Sequence, residues 1–555
     1  MARRSWEASY PEGVRWDVEI EPKLLQSFLD EAAEDSADRT FCDFLGNMIT
    51  FGEMRGLADR VANGLQDLGV GPDAKVGLFL PNVPHYVAAF FGVLKAGGIV
   101  VNYSPLLPER GLAFQIEDSE TDVMISIDNQ AILPNLRKAA ASTRLKHVVL
   151  ATQAETTTPG LTAPASQEPP DDGKFMSFQA LIDNAGDFVP VEPAEGTETV
   201  VVFQYTGGTT GTPKGAMLTH RCMSAACRMY QSWDVVSDDD PRKRKTILVL
   251  PLFHIYGLTY AMLGSIRDRS QVILHPQPDM GRILTDIAEK KPTHLPGVPT
   301  LFMGLLAHPQ AKETDFSSLE YCGSGGAPLP VEVQRAFQEL TGVRLLEGYG
   351  LTETSPAGTV QRLEGEYRTG SCGLPLPGID LEIRSLEDGV TVMPPGAIGE
   401  ICFAGPQLMA GYWKRPEETA EALRDGWLYT GDTGYLDEDG YLFLVDRKKD
   451  LIISSGFNVY LRHIEEAIHE HPAVGEVTVI GVPHDYRGEV PKAFIKLGPE
   501  VALDIDELIA FLGDKLSKHE LPAEMEIRDD LPKTPVGKLS KKELVAEELA
   551  KRGKG

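Results

Sequence analysis

Thr206–Gly207–Gly208–Thr209–Thr210–Gly211–Thr212–Pro213–Lys214–Gly215 decides how the rest of the chain is read. It follows the apolar run Val200–Phe203, which predicts a buried strand, and precedes 216–220, which leads toward a helical pattern. Glycines let a backbone turn sharply and aim its N–H groups at an anion. The threonine hydroxyls add donors and Lys214 adds a positive charge. The spacing predicts a phosphate cradle. It is not a Walker loop, because no Gly-Lys-Ser/Thr closes it at the required distance.

Working outward, apolar strands alternate with helical segments. Val76–Leu80, Ile99–Asn102, Val123–Ile127, Val148–Leu150, Ile247–Leu250 and Val343–Leu346 read as strands; Leu24–Ala33, Tyr86–Lys95, Leu112–Ile116 and Val331–Leu340 read as helices. This rhythm predicts an α/β fold with doubly wound, largely parallel sheets. Residues 6–22 read as an irregular lead docked by Trp6, Tyr10 and Trp16, and 151–174 as a loop. From Ile379 to Phe443 short β runs between Asp-Gly turns predict a β-rich subdomain. The charged run Asp446–Asp450 then marks a boundary, before a small α+β domain with helices at 464–469 and 505–516 and strands at 477–482 and 493–497. The expected domains are 1–448 and a mobile 449–555, hinged at Lys449.

At 555 residues the chain exceeds one ordinary domain. No apolar run is long enough to span a membrane, and the N-terminus has no apolar core after its arginines, so neither a spanning helix nor a secretory signal is expected. The six cysteines form no CxxC pair and read as reduced structural thiols of a cytoplasmic protein. A net charge of −28 excludes broad nucleic-acid binding. Any anionic ligand must therefore be met by local basic groups, which cluster at 242–245, 447–449 and 533–554.

Further motifs sit in order along the chain. Glu347–Gly348–Tyr349–Gly350–Leu351–Thr352–Glu353 follows a strand, where a glycine turn places side chains at the carboxyl edge of a parallel sheet. Thr352 can donate to a phosphate and Glu353 can hold Mg2+ through oxygen. Gly323–Ser324–Gly325–Gly326–Ala327–Pro328 reads as a strand-ending turn of small residues that admits a flat ring. Asp432, in Tyr429–Thr430–Gly431–Asp432, can accept two ribose hydroxyls, and Arg447 can join it. His254 lies in 251–257, Lys538 in the Pro- and Gly-shaped loop 533–538, and Gly456 and Asn458 in 451–460.

Taken together, these strings resemble the adenylate-forming superfamily of acyl-CoA synthetases, firefly luciferase and peptide-synthetase adenylation domains. The resemblance spans nearly the whole chain and is strongest to long-chain fatty-acyl-CoA synthetases. It implies an AMP-forming ligase of fatty acid metabolism with ATP and CoA as co-substrates and Mg2+ as cofactor. Thr206–Gly211, Lys214, Gly326–Pro328, Glu347–Gly350, Thr352, Asp432 and Arg447 would bind ATP, with Thr352, Glu353, Lys214 and Lys538 catalytic. His254, Tyr256, Gly257, Val298 and Gly325 would line the acyl pocket, Gly257 and Gly325 leaving room for the chain. Gly456 and Asn458 would line the CoA channel. His254 would not be a general base, because a carboxylate is already nucleophilic. Ile453, Leu461 and His463 depart from the family's usual lysine, proline and acid, which bears on the thioester step. A medium-chain or aryl acid substrate, and a ligase loading a carrier protein, are the alternative readings. A fatty substrate is compatible with peripheral membrane contact; oligomeric state, a dimer included, is left open.

Overall fold

The computed structural model describes residues 4–157, 173–206, 212–233, 240–363, 365, 367–454, 457–484, 487–498, 501–513, 515–534 and 539–552. Two large sheets form the N-terminal part. One has nine strands, in the order 374–375, 359–360, 345–349, 321–325, 294–297, 245–248, 271–274, 40–44 and 47–50. The other has eight: 411–412, 214–219, 200–206, 99–102, 75–79, 123–127, 147–151 and 175–177. The interior pairings are parallel, with antiparallel strands confined to the margins. Helices pack on these sheets, as wholly buried, β-branched-rich strands such as Ile99–Asn102 require.

The helix Pro84–Lys95 is buried along its whole length and fills the space between the second sheet and the helix Phe51–Asp67. That neighbour opens with Thr50 accepting from the Glu53 N–H while the Glu53 side chain accepts from the Thr50 N–H, which satisfies two otherwise orphaned donors. The N-terminal lead docks as expected: Trp6 is buried, Tyr10 donates to the Pro375 carbonyl at 2.5 Å, and Trp16 donates to that of Ile379 at 2.9 Å.

A five-stranded, largely antiparallel sheet (380–384, 399–404, 423–424, 427–436 and 442–447) forms the β-rich subdomain. The turn after Arg447 leads into a separate five-stranded sheet built on the long hairpin Val474–His484 and Gly488–Leu497. Its own core includes Ile464, Val477, Val479, Ile495 and Leu508. All six cysteines are buried and unpaired. No helix among the described residues is long and apolar enough to cross a membrane.

Residues 216–219 belong to the strand Lys214–Thr219, antiparallel to Val200–Thr206, and the helix begins only at His220. The strands on either side of the phosphate-cradle stretch thus pair antiparallel, Thr206 opposite Lys214.

Candidate active site

Four neighbouring parallel strands, 245–248, 294–297, 321–325 and 345–349, end at one edge of the nine-stranded sheet. The segments leaving that edge carry His254, Tyr256, Val298, Gly326–Pro328 and Thr352–Glu353, residues far apart in sequence. Gly325 pairs with Gly348 across the last two strands. Gly326 has φ +78°, a left-handed conformation that favours glycine and turns the chain at the sheet edge.

The second sheet supplies Lys214. The short strand Gly411–Tyr412 pairs with 216–217 and lays the Tyr412 ring 5.1 Å from the Lys214 ammonium. The Tyr412 hydroxyl donates to Glu353 Oε1 at 2.7 Å, and the Met409 N–H donates to the Glu353 carbonyl at 2.9 Å. Lys214, Tyr412 and Glu353 thus form one cluster bridging the two sheets. Burial and the Glu353 charge hold the Tyr412 phenol protonated. Tyr412 was absent from the sequence reading; the Gly411–Tyr412–Trp413 string gave no hint of its partner, because the pairing is non-local.

The β-rich subdomain supplies a second cluster. Asp432 and Arg447 are cross-strand partners, with Arg447 Nε 3.2 Å from Asp432 Oδ1. Tyr349 donates to Asp432 Oδ2 at 2.7 Å. Both Asp432 oxygens are thereby oriented by side chains from opposite sides.

Glu347 lies elsewhere in kind. It is buried, its Oε1 accepts the Leu329 N–H at 3.1 Å, and burial raises its carboxyl to about 7 despite the opposing charge of Arg462. It fastens the 326–330 turn to its neighbouring strand, and through Arg462 it faces the helix Leu461–His469 of the small domain. The Arg462 N–H also bonds Asp446 Oδ2 at 3.2 Å. Lys449 follows, its ammonium drawn below its ordinary range by burial, then by Arg447 and Lys214.

The segment carrying His254 is held from the second sheet. Asn82 bonds the Leu250 carbonyl (2.9 Å) and the Leu252 N–H (2.8 Å), Tyr86 the Leu252 carbonyl (2.8 Å), and Gln204 the Phe253 carbonyl (2.9 Å). The His254 Nδ1 accepts from the Tyr256 N–H at 3.3 Å. Tyr256 then opens a π-helix, Tyr256–Leu263. These anchors also escaped the sequence reading.

Gly257 requires a correction. A Cβ there would lie 2.4 Å from the Pro251 carbonyl oxygen, so the missing side chain serves close backbone packing and the space it leaves is taken by the polypeptide itself. At Gly325 a Cβ would lie 3.3 Å from the Tyr256 ring, so this glycine sits against that ring. Val298 precedes the helix Pro299–Ala307 and packs against both core clusters of the N-terminal part. Gly207, Gly208, Thr209, Thr210, Gly211, Gly456 and Lys538, and the side chains of Ile453 and Asn458, lie outside the described residues. Thr206 ends its strand, its Oγ1 3.5 Å from the Lys214 carbonyl. Leu461 is buried, and His463 Nδ1 is 3.1 Å from Glu520.

Residues 29–413 match the AMP-binding enzyme family, and residues 463–538 the AMP-binding enzyme C-terminal domain. A long-chain-fatty-acid–CoA ligase of Bacillus subtilis (strain 168) is 39% identical over 558 residues, covering 99% of both chains. Among solved structures, the anthranilate CoA ligase AuaEII in complex with anthranoyl-AMP superposes with a TM-score of 0.85 at 26% identity, covering 96% of this chain and 99% of that one. ATP-bound MatB from Rhodopseudomonas palustris superposes with a TM-score of 0.84 at 29% identity, covering 95% and 99%.

Proposed function

The chain belongs to the AMP-binding enzyme family, and from that premise we propose that it is an ATP-dependent fatty-acid–CoA ligase acting on long-chain acids. The observation that carries the reading is the full-length similarity to a long-chain-fatty-acid–CoA ligase. The convergence of Lys214, Glu353, Tyr349, Asp432 and Arg447 on one sheet edge supports it.

The first half-reaction joins the acid carboxylate to the α-phosphorus of ATP and releases pyrophosphate. The carboxylate needs no base, so catalysis is positioning and charge neutralisation. Lys214 faces the phosphates, Asp432 and Arg447 take the ribose, and Lys538 bridges carboxylate and α-phosphate. The second half-reaction transfers the acyl group to the CoA thiol and releases AMP. In this reading the small domain turns about Lys449 between the two, withdrawing Lys538 and bringing Gly456 and Asn458 to the thiol's path.

Mg2+ fits the donors present. Among the described residues no group of three or more His, Cys, Asp or Glu is placed to hold a metal. Mg2+ is commonly held by one or two carboxylates together with substrate phosphates. Glu353 is the carboxylate for that role, its Oε1 oriented by Tyr412. Bound there, the ion would neutralise phosphate charge.

The test is CoA-dependent AMP release by the purified protein with ATP and Mg2+, over saturated acids from acetate to octadecanoate plus benzoate. The reading expects activity to rise to a long-chain optimum. Pyrophosphate release without acyl-CoA would replace it with a carrier-protein ligase; an optimum at benzoate would replace the fatty acid with an aryl acid, the class that AuaEII's name points to.

A further inference from the structure

Tyr256 and three tyrosines behind it pack ring against ring. The Tyr256–Tyr260, Tyr230–Tyr260 and Tyr260–Tyr321 centroids are 5.6, 4.8 and 6.3 Å apart. Tyr230, Tyr260 and Tyr321 border a cavity of about 60 Å³, and Gln231 completes part of its wall. Gln231 also lines a larger polar cleft of about 380 Å³, between the N-terminal lead, the helix His220–Trp233 and the helix Gly264–Arg267.

Two guanidinium groups meet at this shared wall. Arg228 Nη1 and Arg267 Nη2 both donate to Gln231 Oε1, at 2.8 and 2.5 Å, while Gln231 Nε2 donates to Asp268 Oδ1 at 3.1 Å. Among the described residues neither guanidinium has a carboxylate oxygen within 4.0 Å, and Arg267 Nη1 is buried without a hydrogen-bond partner. The other cations of the cleft are matched. Arg269 lies 3.0 Å from Asp35 and 3.7 Å from Glu31, and Lys23 lies 2.7 Å from Glu31. Glu19 and Glu21 stand on the exposed rim.

A guanidinium offers five N–H donors in a planar fork. Two of them sharing one neutral amide oxygen place like charges together; Arg228 Nε also donates to the Glu19 carbonyl at 3.4 Å, whereas Arg267 Nη1 keeps no partner. Burial, then the charges of Arg228 and Arg269, draw Arg267 below its ordinary range against the opposing Cys227 and Asp268. An oxyanion would relieve both the repulsion and the buried donor, and a carboxylate matches the fork in two-point geometry. In a chain of net charge −28, an acid anion needs such a local positive site.

We propose that Arg228 and Arg267 form a carboxylate-binding site in the polar cleft, at the Gln231 wall it shares with the tyrosine-lined cavity. The proposal rests on the acid–CoA ligase reading for its ligand class. The carboxylate has two sources: the far end of a dicarboxylic acid whose other end is activated, or the single carboxylate of a fatty acid held on its way in.

The experiment uses the full chain with Arg228→Gln, Arg267→Gln and the double substitution. Equilibrium dialysis without ATP measures binding of hexadecanoate and hexadecanedioate, and kcat/KM is measured for both. Weakening by about tenfold or more, the scale of one charge-assisted bond, is expected for at least one acid, with partial retention in Arg267→Lys. Loss confined to hexadecanedioate identifies the far carboxylate. Loss for both acids in kcat/KM at unchanged kcat, shrinking at high salt, identifies the incoming one. Binding of both acids as tightly as wild type by all variants overturns the site. Should Arg267→Gln prove unfolded by its melting curve, Arg228→Gln alone decides. Should the wild type activate no acid, the ligase reading falls, and the dialysis still decides whether carboxylates bind here.

Discussion

Tyr412 donates its hydroxyl to Glu353 Oε1 at 2.7 Å, and its ring lies 5.1 Å from the Lys214 ammonium. One phenol from a two-residue strand therefore orients the carboxylate assigned to Mg2+ and flanks the cation assigned to phosphate. A hydrogen bond to a charged group contributes about 1.5–3 kcal/mol. Tyr412→Phe keeps the ring and loses the bond. It is expected to lower pyrophosphate exchange by roughly tenfold to a hundredfold and to raise the Mg2+ concentration for half-maximal rate. A wild-type Mg2+ dependence in the variant would detach Tyr412 from the metal carboxylate.

Asp432 is held from two sides, by Tyr349 at 2.7 Å and Arg447 at 3.2 Å. A carboxylate fixed in this way meets two ribose hydroxyls without reorganising. Asp432→Asn is expected to raise KM for ATP by about tenfold or more while KM for the acid stays near wild type. Tyr349→Phe should show a smaller change of the same kind, because Arg447 still holds the other oxygen. Steady-state kinetics with each substrate varied separately reads both. Equal changes in the two KM values would place Asp432 outside the nucleotide site.

Glu347 carries a pH signature. Burial raises its carboxyl from the usual carboxylate range to about 7. A raised folded pKa means that the folded state keeps a proton the unfolded state releases. Relative to a neutral side chain, the stability contribution is therefore intact below the unfolded pKa, falls as pH rises, and levels off above about 7. The fall amounts to roughly 3 kcal/mol. Glu347→Gln removes it and still offers an oxygen to the Leu329 N–H. Melting temperatures from pH 4.5 to 8.5 should show the variant gaining on wild type up to neutrality and holding a constant lead beyond. A constant difference across the range would mean Glu347 is ionised throughout.

The parallel strands were legible because wholly buried strands read as unbroken apolar runs: Ile99–Asn102 and Val123–Ile127 appear at their predicted bounds. The helix Phe51–Asp67 was overlooked although Thr50 and Glu53 carry its capping signal and Met54, Leu57, Ala58, Val61 and Leu65 its buried face. Its polar residues between these positions hide the stripe unless helical spacing is counted. The motif glycines at 325, 326 and 348 signalled a sheet edge in the primary sequence. Tyr412, Asn82, Tyr86 and Gln204 did not, because their roles arise from contacts between the two sheets. The purpose of Gly257 was hidden for the same reason: only the folded chain reveals the Pro251 oxygen beside it.

Gly257 and Gly325 should separate under one substitution. Alanine at 257 drives a methyl to 2.4 Å from a backbone oxygen, which has no rotamer with which to yield. Overpacking of this kind costs about 1–3 kcal/mol or more, so Gly257→Ala should lower the melting temperature and depress activity with every acid alike. Alanine at 325 meets the Tyr256 ring at 3.3 Å and the Gly348 carbonyl oxygen at 3.4 Å, close contacts that small shifts relieve. Gly325→Ala should fold as wild type and move the kcat/KM optimum toward shorter acids, because the added methyl narrows the space before Tyr256. Melting curves and a chain-length series on both proteins make the comparison. A length profile unchanged in shape in Gly325→Ala would remove this wall from the acyl pocket, and a wild-type melting temperature in Gly257→Ala would show that the segment 251–257 yields where its hydrogen bonds to Asn82, Tyr86 and Gln204 predict that it stays fixed.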